Sequence, residues 1–262
     1  MMTRNTKSMA ETDIFFIGWA SPPLALRGFL IGCAAGLIVV FAVFGYLGAA
    51  TANDPGDGAF RFDWGRQMVI GRLETQPYPL LHVIESERYE TGHTLLLSGP
   101  GKTGVQERSA PLDGSVVEIQ GIALKRGDLD MLQVSNRRNG LVASEITGPD
   151  LPEPVPLGRW RLTGEICDGK CYAGAMRPGQ GLSHKACANF CLSGGVPPLF
   201  VSTDAVDGAT FFLMADLQGK PVTEAVMDHV ATLVEVEGAI ERRGGMHVLR
   251  IDPDTIRLAP GS

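Results

Sequence analysis

The sequence predicts a mainly β protein in which one N-terminal transmembrane helix is followed by two tandem small β-barrels. Three observations lead to this fold class. First, Gly28 to Ala50 form an uncharged run of 23 residues. Second, beyond residue 66 short runs of β-branched and aliphatic residues are separated by Gly, Asp and Pro, which is typical of all-β domains. Third, one strand pattern occurs twice, 117 residues apart.

The composition excludes two broad classes. With 262 residues, of which 44% are hydrophobic and 20% charged, the chain is too apolar to be disordered and long enough for one or two domains. The net charge is −6, and the Lys and Arg residues are scattered rather than gathered into a stripe that could neutralise phosphates. We therefore expect no nucleic-acid partner.

The apolar run from Gly28 to Ala50 is long enough to cross a bilayer, since 23 helical residues span about 34 Å. Basic residues precede it and acidic residues follow it, which favours a cytoplasmic N-terminus. These charges are Arg4, Lys7 and Arg27 before the run, and Asp54 and Asp57 after it. The predicted location is the cytoplasmic (inner) membrane, crossed once, with the C-terminal region periplasmic or extracytoplasmic. A cleaved signal peptide ending at Ala50-Thr51-Ala52 is the alternative.

The rest of the chain divides by composition. The predicted organisation is a cytoplasmic tail (1–27), the transmembrane helix (28–50), a Gly/Asp/Ala-rich spacer (51–66), a first barrel repeat (67–147), a Pro-rich linker (148–158) and a second barrel repeat (159–262). Nine segments have strand character. They are Gln67 to Leu73, Thr94 to Ser98, Ser115 to Ile122, Met131 to Ser135, Arg159 to Ile166, Leu199 to Ser202, Thr210 to Met214, Thr232 to Ile240 and Met246 to Ile251.

The internal repeat identifies the kind of barrel. Val117 to Gly121 (VEIQG) matches Val234 to Gly238 (VEVEG), and Arg126 and Gly127 fall on Arg243 and Gly244 at the same offset. Each copy predicts a β-hairpin that ends a five-stranded barrel similar to the oligonucleotide/oligosaccharide-binding (OB) fold. Helical spacing from Val222 to Val230 supplies the short helix of the second copy. We expect no such helix in the first copy.

The chemistry-bearing residues are concentrated in the second repeat. Cys167, Cys171, Cys187 and Cys191 lie within 25 residues, with His184 just before the last pair. Thiolates and imidazole bind zinc, copper or iron–sulfur clusters, so these five residues are candidate metal ligands. Outside the cytoplasm the same four cysteines are equally compatible with two structural disulfides. A reactive pair, Cys187 and Cys191, is a third interpretation.

A longer motif surrounds these cysteines: D-x-K-C-Y-x-G-x-M-x-P-G, then H-x-x-C-A-x-x-C and G-G-x-P-P. Its fixed residues are Asp168, Lys170, Cys171, Tyr172, Gly174, Met176, Pro178, Gly179, His184, Cys187, Ala188, Cys191, Gly194, Gly195, Pro197 and Pro198. The motif resembles one in bacterial membrane-anchored or secreted small β-barrel proteins, mostly of unassigned function. The resemblance implies a unit of Cys171, His184, Cys187 and Cys191, with Cys167 as an addition in this chain.

One phosphate-loop-like signal is rejected. Gly99 to Thr103 (GPGKT) resembles the end of a Walker A loop, but that loop requires Gly where this chain has Leu96. We interpret the segment as a turn between strands, with no helix after it.

No catalytic constellation is recognisable, so enzyme activity is left open and not favoured. The predicted function is an extracytoplasmic accessory or binding subunit of a membrane-associated assembly. Its predicted partners are the lipid bilayer and a protein in the membrane or periplasm. The alternatives are a metal-binding or iron–sulfur redox or metal-delivery protein, and a thiol–disulfide oxidoreductase.

Overall fold

The structure, a computed structural model, describes residues 24–51 and 58–260. Most of the predicted cytoplasmic tail, with Arg4 and Lys7, and the acidic residues Asp54 and Asp57 lie outside the described residues. The chain forms two units, Met1–Asp54 and Pro55–Ser262. Strand residues outnumber helical ones (41% against 28%), which confirms the mainly β prediction.

The described residues of the first unit form one helix, α1 (Leu24–Thr51). It includes a stretch, Leu26–Ala50, that is long and apolar enough to cross a membrane. The described helix begins at Leu24, four residues before the predicted Gly28, because Leu24 to Leu26 continue the apolar pattern.

Five strands close the first barrel. Its elements are β1 (Ala59–Phe60), β2 (Arg66–Glu74), β3 (Leu80–Ser86), β4 (Thr94–Ser98), α2 (Gln106–Ser109), β5 (Val116–Arg126), β6 (Leu129–Val134) and β7 (Leu141–Ala143). The antiparallel order β5-β2-β3-β4 is completed by a parallel β4–β6 pair and the antiparallel β5–β6 hairpin. The short strands β1 and β7 add to β5.

The second barrel repeats this topology. Its elements are β8 (Val155–Asp168), α3 (Lys185–Ser193), β9 (Pro198–Val206), β10 (Ala209–Asp216), α4 (Thr223–Val226), β11 (Leu233–Arg243), β12 (Met246–Ile251) and β13 (Arg257–Leu258). Here β10 pairs with β12 in parallel, and β11 closes the barrel between β12 and β8. The prediction of two small barrels in tandem is therefore confirmed.

The internal repeat corresponds to structurally equivalent hairpins. The strand bounds of β5 and β6 shifted by 117 residues give those of β11 and β12. Gly121 and Gly238 occupy the same place in each copy, where the paired strand passes very close. A Cβ atom would lie 2.4 Å from the Gln133 carbonyl oxygen in the first copy and 2.5 Å from the Arg250 carbonyl oxygen in the second. The repeated glycine is thus required because the paired strand leaves no room for a Cβ atom.

We expect Gly238→Ala to lower the free energy of unfolding by about 2 kcal/mol, because backbone must move to admit the methyl group. Denaturant titration of the full-length protein in detergent, followed by circular dichroism, measures this. Gly245→Ala is the matched control, since its Cβ would meet Thr94 only at 3.5 Å and beyond. Equal effects of the two substitutions would contradict the close-approach explanation.

Several finer predictions differ from the structure. Strand β3 was not predicted, because its first four residues are all buried and show no alternation. The first barrel does contain a one-turn helix, α2, where none was expected. The predicted spacer (51–66) includes β1, and the predicted linker (148–158) contains the start of β8, which pairs with β11 from Val155.

The two barrels share an apolar interface. Leu80, Leu124 and Met131 of the first barrel pack in one cluster with Leu213 and Val248 of the second. Polar contacts border this cluster: the Tyr78 hydroxyl is 2.8 Å from Thr223 Oγ1, and the Arg243 guanidinium lies 2.6 Å from both Glu74 Oε1 and Glu241 Oε1. The barrels are therefore held in a fixed arrangement, which brings a loop of the first against the second.

Candidate metal centre

The cysteine segment is an insertion between β8 and β9. In the first barrel the equivalent connection runs only from residue 75 to 79, whereas in the second it runs from 169 to 197. The inserted chain turns tightly at Cys171–Ala175 and then forms α3. The nine-residue helix α3 was not predicted, because only the spacing from Val222 to Val230 had indicated a helix.

Three sulfur atoms meet in this insertion. Cys187 and Cys191 are four residues apart on α3, so they share one face of the helix. Cys171 Sγ, from the turn after β8, lies 4.0 Å from Cys187 Sγ and 3.8 Å from Cys191 Sγ. Cys171 and Cys191 are buried and pack against Val196, whereas Cys187 is half-buried. The three sulfurs can therefore hold one metal ion near the surface.

Asp168 and His184 support the cluster from within. The Asp168 carboxylate is fully buried at the end of β8. Its Oδ1 accepts a hydrogen bond of 2.8 Å from the Cys171 backbone N–H, and its Oδ2 is 3.1 Å from His184 Nε2. Asp168, Cys171 and His184 form a second possible ligand group that shares Cys171 with the first. Asp168 thus fixes the turn and orients the imidazole.

A lysine from the first barrel reaches the cluster. Lys102 Nζ donates to Cys187 Sγ at 2.7 Å and is 3.7 Å from Cys191 Sγ. Lys102 belongs to the Gly99 to Thr103 segment, which was interpreted as a turn between strands. The segment is a turn, as predicted. The expectation that no helix follows it was wrong, because α2 begins at Gln106. The segment places a positive charge on the exposed side of the sulfurs.

The turn is fastened to the insertion at several points. Lys170, only 2% exposed, donates from Nζ to the carbonyl oxygens of Gly99 (2.6 Å) and Gly101 (2.7 Å). The Gly104 N–H donates to the Gly194 carbonyl oxygen at 2.8 Å. We call these contacts between residues 99–104 and the insertion the inter-barrel clamp. It holds the Lys102 backbone in place beside α3.

Gly194→Ala is expected to break the inter-barrel clamp, since a Cβ at Gly194 would lie 1.8 Å from the Lys102 carbonyl oxygen. We expect a loss of about 3 kcal/mol in the free energy of unfolding, measured by denaturant titration. Ser193→Ala, at the exposed neighbouring position, is the control and should change stability by less than about 0.5 kcal/mol. A Gly194→Ala protein as stable as its control would contradict the clamp.

The electrostatics of the centre follow from these contacts. Hydrogen bonding to Cys187 raises the pKa of Lys102. The hydrogen bond between Cys171 and Cys191 raises the pKa of the Cys171 thiol and lowers that of Cys191. Burial lowers the pKa of Lys170 to about 8. The contact between Cys171 and Cys191 therefore favours deprotonation of Cys191 over that of Cys171.

Four of the five predicted ligands lie close together in the structure, and the fifth does not. Cys171, Cys187 and Cys191 converge, and His184 joins them through Asp168. Cys167 lies elsewhere: its buried thiol contacts Glu165 Oε1 at 3.3 Å within the interface between the barrels, and burial raises its pKa. All five cysteines of the chain are among the described residues and each is free, so the expectation of two disulfides is wrong for this structure.

Two important residues were missing from the predicted ligand set. Asp168 is a fixed residue of the cysteine motif, three residues before Cys171. Its place in the motif could have identified it as part of the centre. Lys102 could not have been assigned from the sequence, because it is 69 residues before Cys171 and belongs to the other barrel.

Comparison with known proteins adds no relative. No protein-family model, curated protein or solved structure matches this chain. The functional interpretation therefore depends on the geometry of the centre.

Proposed function

We propose that the protein is a membrane-anchored metal-binding protein that holds one soft d10 ion, Zn(II) or Cu(I), on Cys171, Cys187 and Cys191. The observation that carries this proposal is the sulfur spacing of 3.8 and 4.0 Å. Metal–sulfur bonds of about 2.3 Å place two sulfurs about 3.8 Å apart around a tetrahedral ion and about 4.0 Å apart around a trigonal one. The sulfurs are thus already spaced for one ion.

The same geometry supports a single ion better than an iron–sulfur cluster. Clusters are ordinarily held by four cysteines, and each iron takes its own protein ligands. Here three sulfurs surround one point, and Cys167 points into a different part of the structure. Soft thiolate ligands select Cu(I) and Zn(II) among common metal ions.

The centre has the character of an exchangeable site. Structural zinc sites are closed by four protein ligands, whereas this cluster provides three sulfurs, one of them half-exposed. A metal ion held there is accessible to an incoming thiol ligand on the side of Cys187, the least buried of the three cysteines. This supports metal delivery or storage at the membrane surface rather than a purely structural role.

The test is metal retention by the full-length protein, purified anaerobically in mild detergent and reconstituted with Zn(II) or Cu(I). We expect one equivalent per chain by elemental analysis, and the same for Cys167→Ser, whose thiol lies outside the cluster. Failure of reduced wild-type protein to retain either ion would overturn the proposal. Loss of two thiols without bound metal would instead favour thiol–disulfide exchange, for which Cys187 beside Lys102 is the candidate nucleophile.

We also propose that the protein acts as an accessory subunit in the cytoplasmic membrane, with its barrels on the extracytoplasmic side. The apolar helix α1 supports anchoring, and three exposed large apolar side chains of the insertion, Met176, Leu182 and Phe190, support contact with a protein partner. Protease digestion of sealed vesicles tests the orientation. Co-purification after mild detergent extraction tests the partner, and Phe190→Ser should weaken it.

A further inference from the structure

The carboxylate of Asp168 lies in a site that ordinarily requires a cation. It is fully buried at the end of β8, and buried carboxylates are usually paired with a cation or bound to a metal ion. Among the described residues no lysine or arginine forms an ion pair with it, and its one such partner is the imidazole of His184. The neighbouring Lys170 donates instead to two backbone carbonyl oxygens of the first barrel. Asp168 therefore has no permanent cation of its own.

The other buried aspartate among the described residues, Asp130, shows the contrast. His93 Nε2 lies 3.2 Å from Asp130 Oδ2, much as His184 Nε2 lies 3.1 Å from Asp168 Oδ2. Beside Asp130, however, Lys125 Nζ is 2.9 Å from the same oxygen and supplies the cation. Beside Asp168 the third group is a cysteine, Cys171. One Asp–His pair is thus completed by a lysine and the other by a metal ligand.

The donor atoms around Asp168 are close enough to share one ion. Asp168, Cys171 and His184 each offer one donor atom, and these three atoms all lie within 4.8 Å of one another. Metal bonds of about 2.0 to 2.1 Å place a nitrogen and an oxygen about 3.3 Å apart around a tetrahedral ion, close to the 3.1 Å between His184 Nε2 and Asp168 Oδ2. Carboxylate, imidazole and thiolate are all zinc ligands. One carboxylate and one thiolate also balance the two charges of Zn(II) in a buried position.

We propose that Asp168, Cys171 and His184 form a second metal site, which binds Zn(II), and that the Cys171 sulfur bridges it to the ion of the three-sulfur centre. This inference rests on the proposed function, because the bridge requires the first ion. In the filled site the ion lies between Asp168 and His184 and replaces their hydrogen bond. Two ions that share one sulfur at about 2.3 Å lie about 3.5 Å apart.

The second site fills after the first and binds more weakly. It shares its one sulfur with the first ion, the two ions repel each other, and the hydrogen bond between Asp168 and His184 must break. We therefore expect the second ion to enter when Zn(II) is in excess and to leave when the excess is removed. The one equivalent retained after purification is the ion of the three-sulfur centre.

The test is equilibrium dialysis of the full-length reduced protein, holding its one retained ion, against Zn(II) under anaerobic conditions in mild detergent. Elemental analysis should give a total of two metal equivalents per chain. In His184→Gln, which keeps a hydrogen-bond donor for Asp168 but lacks the imidazole, we expect the affinity for the second ion to fall at least about a hundredfold. His93→Gln is the matched control, since it changes the Asp–His pair that has no cysteine and should still take up two equivalents.

X-ray absorption of the wild-type protein at two equivalents gives a readout that needs no variant. We expect a metal neighbour at about 3.5 Å, together with nitrogen or oxygen donors beside sulfur. Wild-type protein that retains its first ion but takes up no second, or shows no metal neighbour at two equivalents, would refute the inference and leave the proposed function intact. Uptake of the second ion by folded His184→Gln with wild-type affinity would also refute it. Wild-type protein that retains no first ion would overturn the proposed function and this inference with it.

Discussion

Replacing Cys191 by Ser is expected to lower the affinity for the metal ion at least about a hundredfold, so that the full-length protein loses it during purification. Cys191 is one of three converging sulfurs, 3.8 Å from Cys171 Sγ, and no other thiol is close enough among the described residues to replace it. An oxygen ligand is a poor substitute for sulfur towards a soft ion. Elemental analysis and competition with a chelator measure the loss.

The control for Cys191→Ser is Cys167→Ser. Both thiols are buried, so both substitutions introduce a buried hydroxyl and a similar cost in stability. Only Cys191 belongs to the sulfur cluster, so only its variant should lose metal. Metal retention by Cys191→Ser equal to that of wild type, with the fold intact by circular dichroism, would eliminate the three-sulfur centre.

Replacing Asp168 by Ala is expected to affect both stability and metal binding. The substitution leaves the Cys171 N–H and the His184 ring without their buried partner, and hydrogen bonds to a buried carboxylate contribute strongly. We expect a loss of about 3 to 5 kcal/mol in the free energy of unfolding. Metal affinity should fall between about 10- and 100-fold, as is usual when a residue that orients ligands is removed.

Two further variants isolate the cause of the Asp168 effect. Asp168→Asn keeps the shape and an acceptor for the Cys171 N–H, so it should retain part of both properties. Asp216→Ala is the matched control, since Asp216 Oδ1 also accepts backbone N–H bonds, from Gln218 and Lys220, but in a more exposed turn. We expect it to cost about 1 kcal/mol and to leave metal affinity unchanged. Equal losses for Asp168→Ala and Asp216→Ala would show that burial beside the cysteines has no special role.

Local patterns accounted for much of the fold. The uncharged run predicted α1, and the offset of 117 residues predicted two equivalent hairpins that the structure contains as β5–β6 and β11–β12. Helix α2 and strand β3 of the first barrel were not predicted, and the reasons are physical. A one-turn helix has too few residues to show a period, and a strand buried on both faces shows no alternation.

The sequence by itself determined the types of residue available to the centre and confined them to one segment of the second repeat. Which of them meet was decided by tertiary structure. Cys167 and Cys171 are separated by only three residues, yet one faces the interface between the barrels and the other faces α3. Lys102 of the first barrel contacts the cluster because the apolar interface and the inter-barrel clamp hold the two barrels together. Sequence spacing fixes neighbours along one element, whereas contacts between distant segments depend on how the barrels pack.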